Sequence, residues 1–155
     1  MSIDEILDVA EQKGTGRWIL EAGAKLGIPL PTIAASVDAR SLSGLQERRS
    51  DFSSKFKEDR EITAKVSPEE VESALLFGKI CAFFQGVELV QKAKETYQWS
   101  LKTDDIPRCW RAGCILRGGL LDRWIEGIES DEGSSLLELP FFWEELRANL
   151  AGIRA

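Results

Sequence analysis

The feature that most constrains the fold is one helix start followed by about 30 residues without a stop. Ser67 and Glu70 have the spacing of a capping box, and Pro68 suits the first helical position. No proline or glycine pair interrupts the chain from there to Tyr97, so the pattern predicts a helix about 45 Å long. Residues 74–90 are apolar on nearly every face, which is typical of a helix enclosed by other helices. We therefore expect an all-α protein, a multi-helix bundle around a long buried central helix.

The remaining helices are predicted from apolar spacing and from proline and glycine positions. Residues 3–12 are predicted as a short helix, and residues 16–26 as a second helix that is capped by Thr15 and ended by Gly27. No stretch alternates between apolar and polar residues as a strand does. The other predicted segments are helices over residues 32–56, 107–129 and 141–151 and a charged loop over residues 57–66.

Composition excludes several classes of function. The 155 residues include no histidine, which removes Ser-His-Asp and Cys-His nucleophile systems and imidazole metal sites. The 20 Lys and Arg residues against 26 Asp and Glu residues give a net charge of −6. A nucleic-acid partner is therefore not expected, because such binders need a basic face. Hydrophobic residues make up 43% of the chain, enough for a packed core, and the five tryptophans are expected to anchor it.

Cysteine usage and hydropathy bear on localisation. Cys81, Cys109 and Cys114 form an odd set without a disulfide framework, and we interpret them as reduced core thiols. The longest uncharged stretch, residues 26–37, is short of the roughly 20 apolar residues that span a bilayer. The N-terminus lacks the basic start and apolar core of a signal peptide. We expect a cytoplasmic protein with no membrane partner and no metal site.

One segment has the chemistry of an anion site. Lys13-Gly14-Thr15-Gly16-Arg17 places two cations, a hydroxyl and flexible backbone amides at a helix start. That combination suits phosphate or carboxylate. An ordinary glycine turn between two helices is the alternative, and on pattern alone it is favoured. The segment is not a dinucleotide fingerprint, because no strand precedes it and the third glycine is absent.

Several motifs, each weak alone, occur together along the chain. They are Ile6-Leu7-Asp8, Gln12-Lys13-Gly14-Thr15-Gly16-Arg17-Trp18, Ala39-Arg40-Ser41-Leu42-Ser43, Glu47-Arg48, Lys79-Ile80, Gln85-Gly86, Tyr97-Gln98-Trp99, Trp110-Arg111-Ala112-Gly113-Cys114-Ile115-Leu116-Arg117 and Leu139-Pro140-Phe141-Phe142. In order and spacing the chain resembles the C-terminal helical domain of 6-phosphogluconate dehydrogenases over residues 3–145. The Lys-Gly-Thr-Gly and Trp-Arg-x-Gly-Cys motifs are specific in combination.

The resemblance implies a substrate and a site. Members of that family oxidise 6-phosphogluconate with NADP, release carbon dioxide to give ribulose 5-phosphate, and are homodimers. Lys13, Thr15 and Arg40 match the positions that bind the substrate phosphate, which reverses the preference for an ordinary turn. The family's Rossmann domain and catalytic lysine and acid precede this motif, and a tail follows the helical domain. We expect residues 1–155 to form a single helical domain without those parts, with no catalytic residue and no cofactor bound by this chain alone.

Two functions remain open at this stage. The first is the substrate-binding and dimerisation domain of an NADP-dependent 6-phosphogluconate dehydrogenase, inactive alone or completed by a separate Rossmann-domain polypeptide. The second is a non-catalytic dimerisation or scaffold module derived from that family. Both predict a homodimer. Weak binding of the sugar phosphate 6-phosphogluconate at Lys13, Thr15 and Arg40 distinguishes the first function from the second.

Overall fold

Seven helices make up most of the described protein. The computed structural model describes residues 5–10, 13–55, 66–102, 104–130, 136 and 138–150. None of these residues lies in a strand, which confirms the all-α prediction. In chain order the helices are α1 (Thr15–Leu26), α2 (Pro31–Ser43), α3 (Gln46–Lys55), α4 (Pro68–Tyr97), α5 (Asp105–Arg111), α6 (Gly119–Ser130) and α7 (Pro140–Ala148). They divide into two compact units, Met1–Lys65 and Val66–Ala155.

In the first unit, α1 and α2 form an antiparallel hairpin whose register is set at two glycines. A Cβ atom on Gly23 would lie 2.5 Å from Leu30 Cδ1, and one on Gly16 would lie 2.8 Å from Val37 Cγ2. The two residue numbers have the same sum in both pairs. This is expected of antiparallel helices, because the numbers rise along one helix as they fall along the other at the same spacing. Only glycine allows the two helices to approach this closely without a shift at these points.

The turn between α1 and α2 begins where the sequence predicts. Gly27 is left-handed, with φ 71°, and its N–H donates to the Gly23 carbonyl. A glycine in this conformation is a common end to a helix. The predicted helix over residues 32–56, in contrast, is two helices. Gly44 and Leu45 close α2 through N–H bonds to the carbonyls of Arg40 and Leu42, so α3 starts as a separate element.

The helix predicted over residues 3–12 is wrong in its described part, because residues 5–10 are not α-helical. Ile6 and Leu7, which supplied the apolar spacing, are exposed rather than packed. The predicted loop over residues 57–66 lies outside the described residues except for Val66.

In the second unit, the predicted long helix is confirmed from start to end. The Glu70 N–H donates to Ser67 Oγ at 3.2 Å, and the Ser67 N–H donates to Glu70 Oε2 at 2.7 Å, which completes the capping box. α4 buries side chains on two opposite faces. Ile80 and Leu89 are both buried although they lie nine residues, or 2.5 turns, apart. This burial pattern agrees with a central helix.

One face of α4 contributes to the hydrophobic core of this unit. The buried cluster combines residues of α4, α5, α6 and α7 and of the segment before α7, namely Ile80, Phe83, Val87, Ile106, Leu121, Trp124, Ile128, Leu136, Leu139 and Phe142. Trp124 sits at its centre, with its ring 6.4 Å from those of both Trp110 and Phe142 in edge-on geometry. The helix predicted over residues 107–129 is interrupted, because Ala112 is extended and Gly113 is left-handed at φ 72°.

Two predictions about the core are wrong in part. Trp124 is buried and Trp110 half-buried, but the other tryptophans, Trp18, Trp99 and Trp143, are exposed. The cysteines are free thiols, as predicted, but Cys109 is exposed, because the seven-residue α5 turns Ile106 and Pro107 inward instead. Gly78 and Gly86 in α4 have no atom within 4 Å of an added Cβ, so they do not mark a close helix contact within the described protein.

By length and composition, α4 is also apolar enough to cross a membrane. The core helix of a soluble protein meets the same criterion, and α4 carries Lys79 and Glu88 in its middle. Within the described protein, 28% of the most apolar stretch of α4 is buried, and its buried residues lie on two faces.

Candidate anion-binding site

The first turn of α1 presents a glycine, a hydroxyl and a lysine at the surface. Gly14 is the N-cap residue, left-handed at φ 88°, so the prediction that Thr15 caps the helix is wrong. Glycine adopts this conformation without strain, which explains why it takes the cap position. Thr15 is instead the first residue of α1, and Lys13 directly precedes the cap; both side chains are exposed.

The backbone at this helix start is suited to an anion. The Trp18 N–H donates to the Gly14 carbonyl, so the amides of Thr15, Gly16 and Arg17 precede the first intrahelical bond. No acidic residue lies in the first turn of α1. The N–H groups and the positive end of the helix dipole therefore face no carboxylate of their own turn.

Arg40 lies at the same end of the hairpin as this helix start. Gly16 packs against Val37, three residues before Arg40, and the Ala10 N–H donates to Ser43 Oγ at 2.9 Å, three residues after it. Lys13 is midway in sequence between Ala10 and Gly16. Because three residues span at most about 11 Å, Lys13 is held near the level of Arg40. The structure thus brings the three predicted site residues to one end of the α1–α2 hairpin.

Three cations, Lys13, Arg17 and Arg40, belong to this end of the hairpin. Arg17 pairs with Glu21 at 3.2 Å, but both side chains are exposed, so the pair is screened by water. Lys13 has no ion-pair partner among the described residues. Arg40 lies in the last turn of α2, where its charge offsets the negative end of that helix dipole. Cations of these types, together with free backbone amides, are the groups that proteins use to bind phosphate.

Two other concavities in the first unit are less suitable for a sugar phosphate. One, of about 400 Å³, lies at the opposite end of the hairpin and has an apolar lining that includes Leu20, Leu30 and Ala34. The other, of about 500 Å³, is lined by Asp8, Arg49 and three serines of α3. The arginine there already binds the Asp8 carboxylate at 2.8 Å, which neutralises the charge that an anion needs.

Metal and thiol chemistry are the other possibilities to consider among the described residues. They contain no group of three His, Cys, Asp or Glu side chains placed to hold a metal ion. Burial raises the pKa of the Cys81 thiol, which disfavours the reactive thiolate. The described segment before the glycine turn is not a strand, so this turn is not a Rossmann-type dinucleotide fingerprint. The arrangement at the start of α1 is therefore suited to holding an anion.

Comparison with known proteins decides the family. The family model for the 6-phosphogluconate dehydrogenase C-terminal domain matches residues 1–155. The chain belongs to this family. It is 35% identical over 153 residues to 6-phosphogluconate dehydrogenase, decarboxylating 2, of Arabidopsis thaliana, covering 93% of this chain and 32% of the relative. It is 41% identical over 124 residues to the decarboxylating 6-phosphogluconate dehydrogenase of a Synechocystis species, covering 78% of this chain and 26% of the relative.

A solved structure agrees with the family assignment. The chain superposes on Plasmodium falciparum 6-phosphogluconate dehydrogenase with a TM-score of 0.82 and 32% identity, covering 98% of this chain and 34% of that one. That enzyme is described in its apo form and in complexes with NADP+ and with its substrate 6-phosphogluconate. The chain spans about a third of the length of the curated relatives it matches. It therefore corresponds to their C-terminal helical domain.

Sequence reasoning found part of this site and missed part. The local motif marks Lys13 and Thr15, and the family resemblance adds Arg40. Asp8 and Arg49, which hold the segment before Lys13, were not predicted. They are 41 residues apart, and no spacing rule pairs residues at that distance.

Proposed function

We propose that this chain is the substrate-binding and subunit-contact domain of a decarboxylating 6-phosphogluconate dehydrogenase. The open end of the α1–α2 hairpin binds the phosphate group of 6-phosphogluconate. The observation that carries the proposal is the position of Lys13 along the hairpin. In sequence it is midway between Ala10, which contacts Ser43, and Gly16, which contacts Val37. Arg40 is likewise midway between Val37 and Ser43 on the other side of the hairpin.

Each group at the site has a distinct part in holding the phosphate. The amides of Thr15 and Gly16 and the Thr15 hydroxyl donate hydrogen bonds to its oxygens. Lys13 supplies a flexible point charge, and Arg40 a planar fork that suits two oxygens at once. Fixing the phosphate holds one end of the sugar acid and thereby orients the rest of it. This domain contributes orientation, whereas oxidation and decarboxylation require groups outside this site.

The direct test is calorimetry with 6-phosphogluconate. We expect weak binding by the wild-type chain and none of unphosphorylated gluconate. Lys13→Ala should weaken binding at least about tenfold, because hydrogen bonds to charged groups contribute roughly 1.5–3 kcal/mol. Lys25→Ala, in the last turn of the same helix, removes the same charge at the far end and is the matched control. Equal affinity of the Lys13→Ala and Lys25→Ala variants would contradict the site.

We further propose that the 155-residue chain alone does not turn over substrate. NADP belongs to the complete enzyme, and a separate polypeptide with a Rossmann domain is the partner that would restore activity. Formation of NADPH, followed by absorbance with 6-phosphogluconate and NADP present, should not exceed the blank. Appreciable activity of the purified chain would contradict this part of the proposal.

A dimerisation role is the second candidate function. Exposed apolar side chains in the second unit favour a subunit contact, including Val71 and Leu75 on α4 and Ile115 before α6. We propose a homodimer in a soluble, cytoplasmic protein. Sedimentation should show a concentration-dependent dimer, and a monomer at high concentration would contradict it. A dimer without any affinity for 6-phosphogluconate would favour the scaffold function over substrate binding.

A further inference from the structure

Arg49 connects two distant parts of the first unit. From α3 its Nη1 donates to Asp8 Oδ2 at 2.8 Å, and its Nη2 donates to the Asp8 carbonyl at 2.8 Å. The same Nη2 donates to the Ser43 carbonyl at the end of α2, at 3.1 Å. One guanidinium therefore joins α2, α3 and the segment before α1.

Ser43 strengthens this junction from its other side, because its hydroxyl accepts the Ala10 N–H at 2.9 Å. Apolar packing does little to hold the same segment. Ile6 and Leu7 are 59% and 75% exposed, so they bury little apolar area against the unit. Among residues 5–10 only Val9 is half-buried, so the polar bonds of Asp8 and Ala10 are the main attachment of the chain shortly before Lys13.

We propose that Arg49 is a positioning residue for the phosphate site. It clamps Asp8–Ala10 onto the end of α2 and so holds Lys13 at the end of the hairpin where Arg40 lies. This inference rests on the proposed function for its ligand, but the clamp itself is a property of the chain without ligand. Arg49 acts through Asp8 and Ser43 and does not itself contact the phosphate.

The geometry requires arginine at this position. Three acceptors on two segments are reached by two nitrogens of one planar fork. Its Nε is buried without an acceptor among the described residues, so the Nη groups carry the whole attachment. A lysine has a single nitrogen at its tip and cannot occupy both Nη positions at once. Arg49→Lys should therefore keep the charge and lose most of the clamp.

The first readout is hydrogen exchange of the Ala10 amide, measured by NMR without ligand. We expect exchange at least about tenfold faster in Arg49→Gln and Arg49→Lys than in wild type, because the segment opens locally. Arg48→Gln changes the neighbouring, exposed arginine of the same helix and should leave the exchange rate unchanged. Unchanged protection of Ala10 in Arg49→Gln would overturn the clamp.

The second readout is calorimetric affinity for 6-phosphogluconate. For Asp8→Ala, electrostatics and loss of the clamp predict opposite changes in this affinity. That variant removes a negative charge, so electrostatics alone predicts tighter binding of the anion. Loss of the clamp predicts binding weaker by several-fold, with the α-helical circular dichroism unchanged. Tighter or equal binding by Asp8→Ala would overturn the positioning role.

A wild-type chain that fails to bind 6-phosphogluconate would overturn both the positioning role and the proposed function. The Ala10 exchange rates would still show whether Arg49 holds the segment.

Discussion

The two units of this protein differ in the interactions that stabilise each of them internally. The unit Val66–Ala155 buries a cluster of large side chains around Trp124. In the described part of the unit Met1–Lys65, only Gly23 and Leu30 are buried, and the residues of α2 and α3 are half-buried or exposed. Close glycine contacts and polar bonds do there what apolar packing does in the other unit. Stability and the candidate site thus lie in different parts of the chain, as is common for ligand-binding segments.

The two main helix starts show the same contrast. The N-terminus of α4 is occupied by its own capping box, with Glu69 and Glu70 in the first turn. The N-terminus of α1 has a glycine cap, no acid in its first turn and a lysine beside it. The α4 start satisfies backbone donors with its own side chains, whereas no side chain caps the α1 start.

The largest expected effect is in the packed unit. Trp124→Ala should lower the free energy of unfolding by about 3–5 kcal/mol, because it removes a 2% exposed ring from the centre of the core. Trp18→Ala, at 61% exposure on α1, should cost less than about 1 kcal/mol. Urea unfolding followed by circular dichroism measures both. Similar losses for the two variants would remove the distinction between the units.

The next effect tests the glycine contacts of the first unit. Gly23→Ala places a Cβ 2.5 Å from Leu30 Cδ1 and 3.1 Å from the Ile28 carbonyl oxygen, so we expect a loss of about 1–3 kcal/mol. Gly86→Ala in α4 meets no atom within 4 Å and should instead stabilise by up to about 1 kcal/mol. The same unfolding experiment compares them. Destabilisation by Gly86→Ala would indicate that another chain packs on α4 there.

A smaller effect is expected at the start of α4. Ser67→Ala removes the hydroxyl that accepts the Glu70 N–H and should cost about 1 kcal/mol of unfolding free energy. Affinity for 6-phosphogluconate should not change, because this helix start takes no part in the proposed site. A matching loss of affinity would contradict the assignment of binding to the first unit alone.

The sequence predicted elements whose signals are local. The capping box and the glycine end of α1 act within one or two turns, and both lie where the pattern indicated. The predicted helix over residues 3–12 failed because apolar spacing forms a helix only when its face is covered, and Ile6 and Leu7 are exposed. The exposed tryptophans show the same limit, since residue type does not specify the partner that buries it.

The residues of the candidate site also differ in whether a local signal in the sequence predicts them. Lys13 and Thr15 were accessible from a local motif, and Arg40 from the family resemblance. Their roles remain predictions, although the hairpin register places them at one end. The Asp8–Arg49 pair depends on tertiary contact across 41 residues, which no local rule contains.

The central claim is that phosphate binds at the open end of the α1–α2 hairpin. The most direct measurement is a titration of the ¹⁵N-labelled chain with 6-phosphogluconate, followed through its amide NMR signals. We predict that the largest shifts occur at Thr15, Gly16 and Arg40, and that Lys13→Ala needs at least about tenfold more ligand to reach them. Shifts confined to residues of the second unit would contradict it.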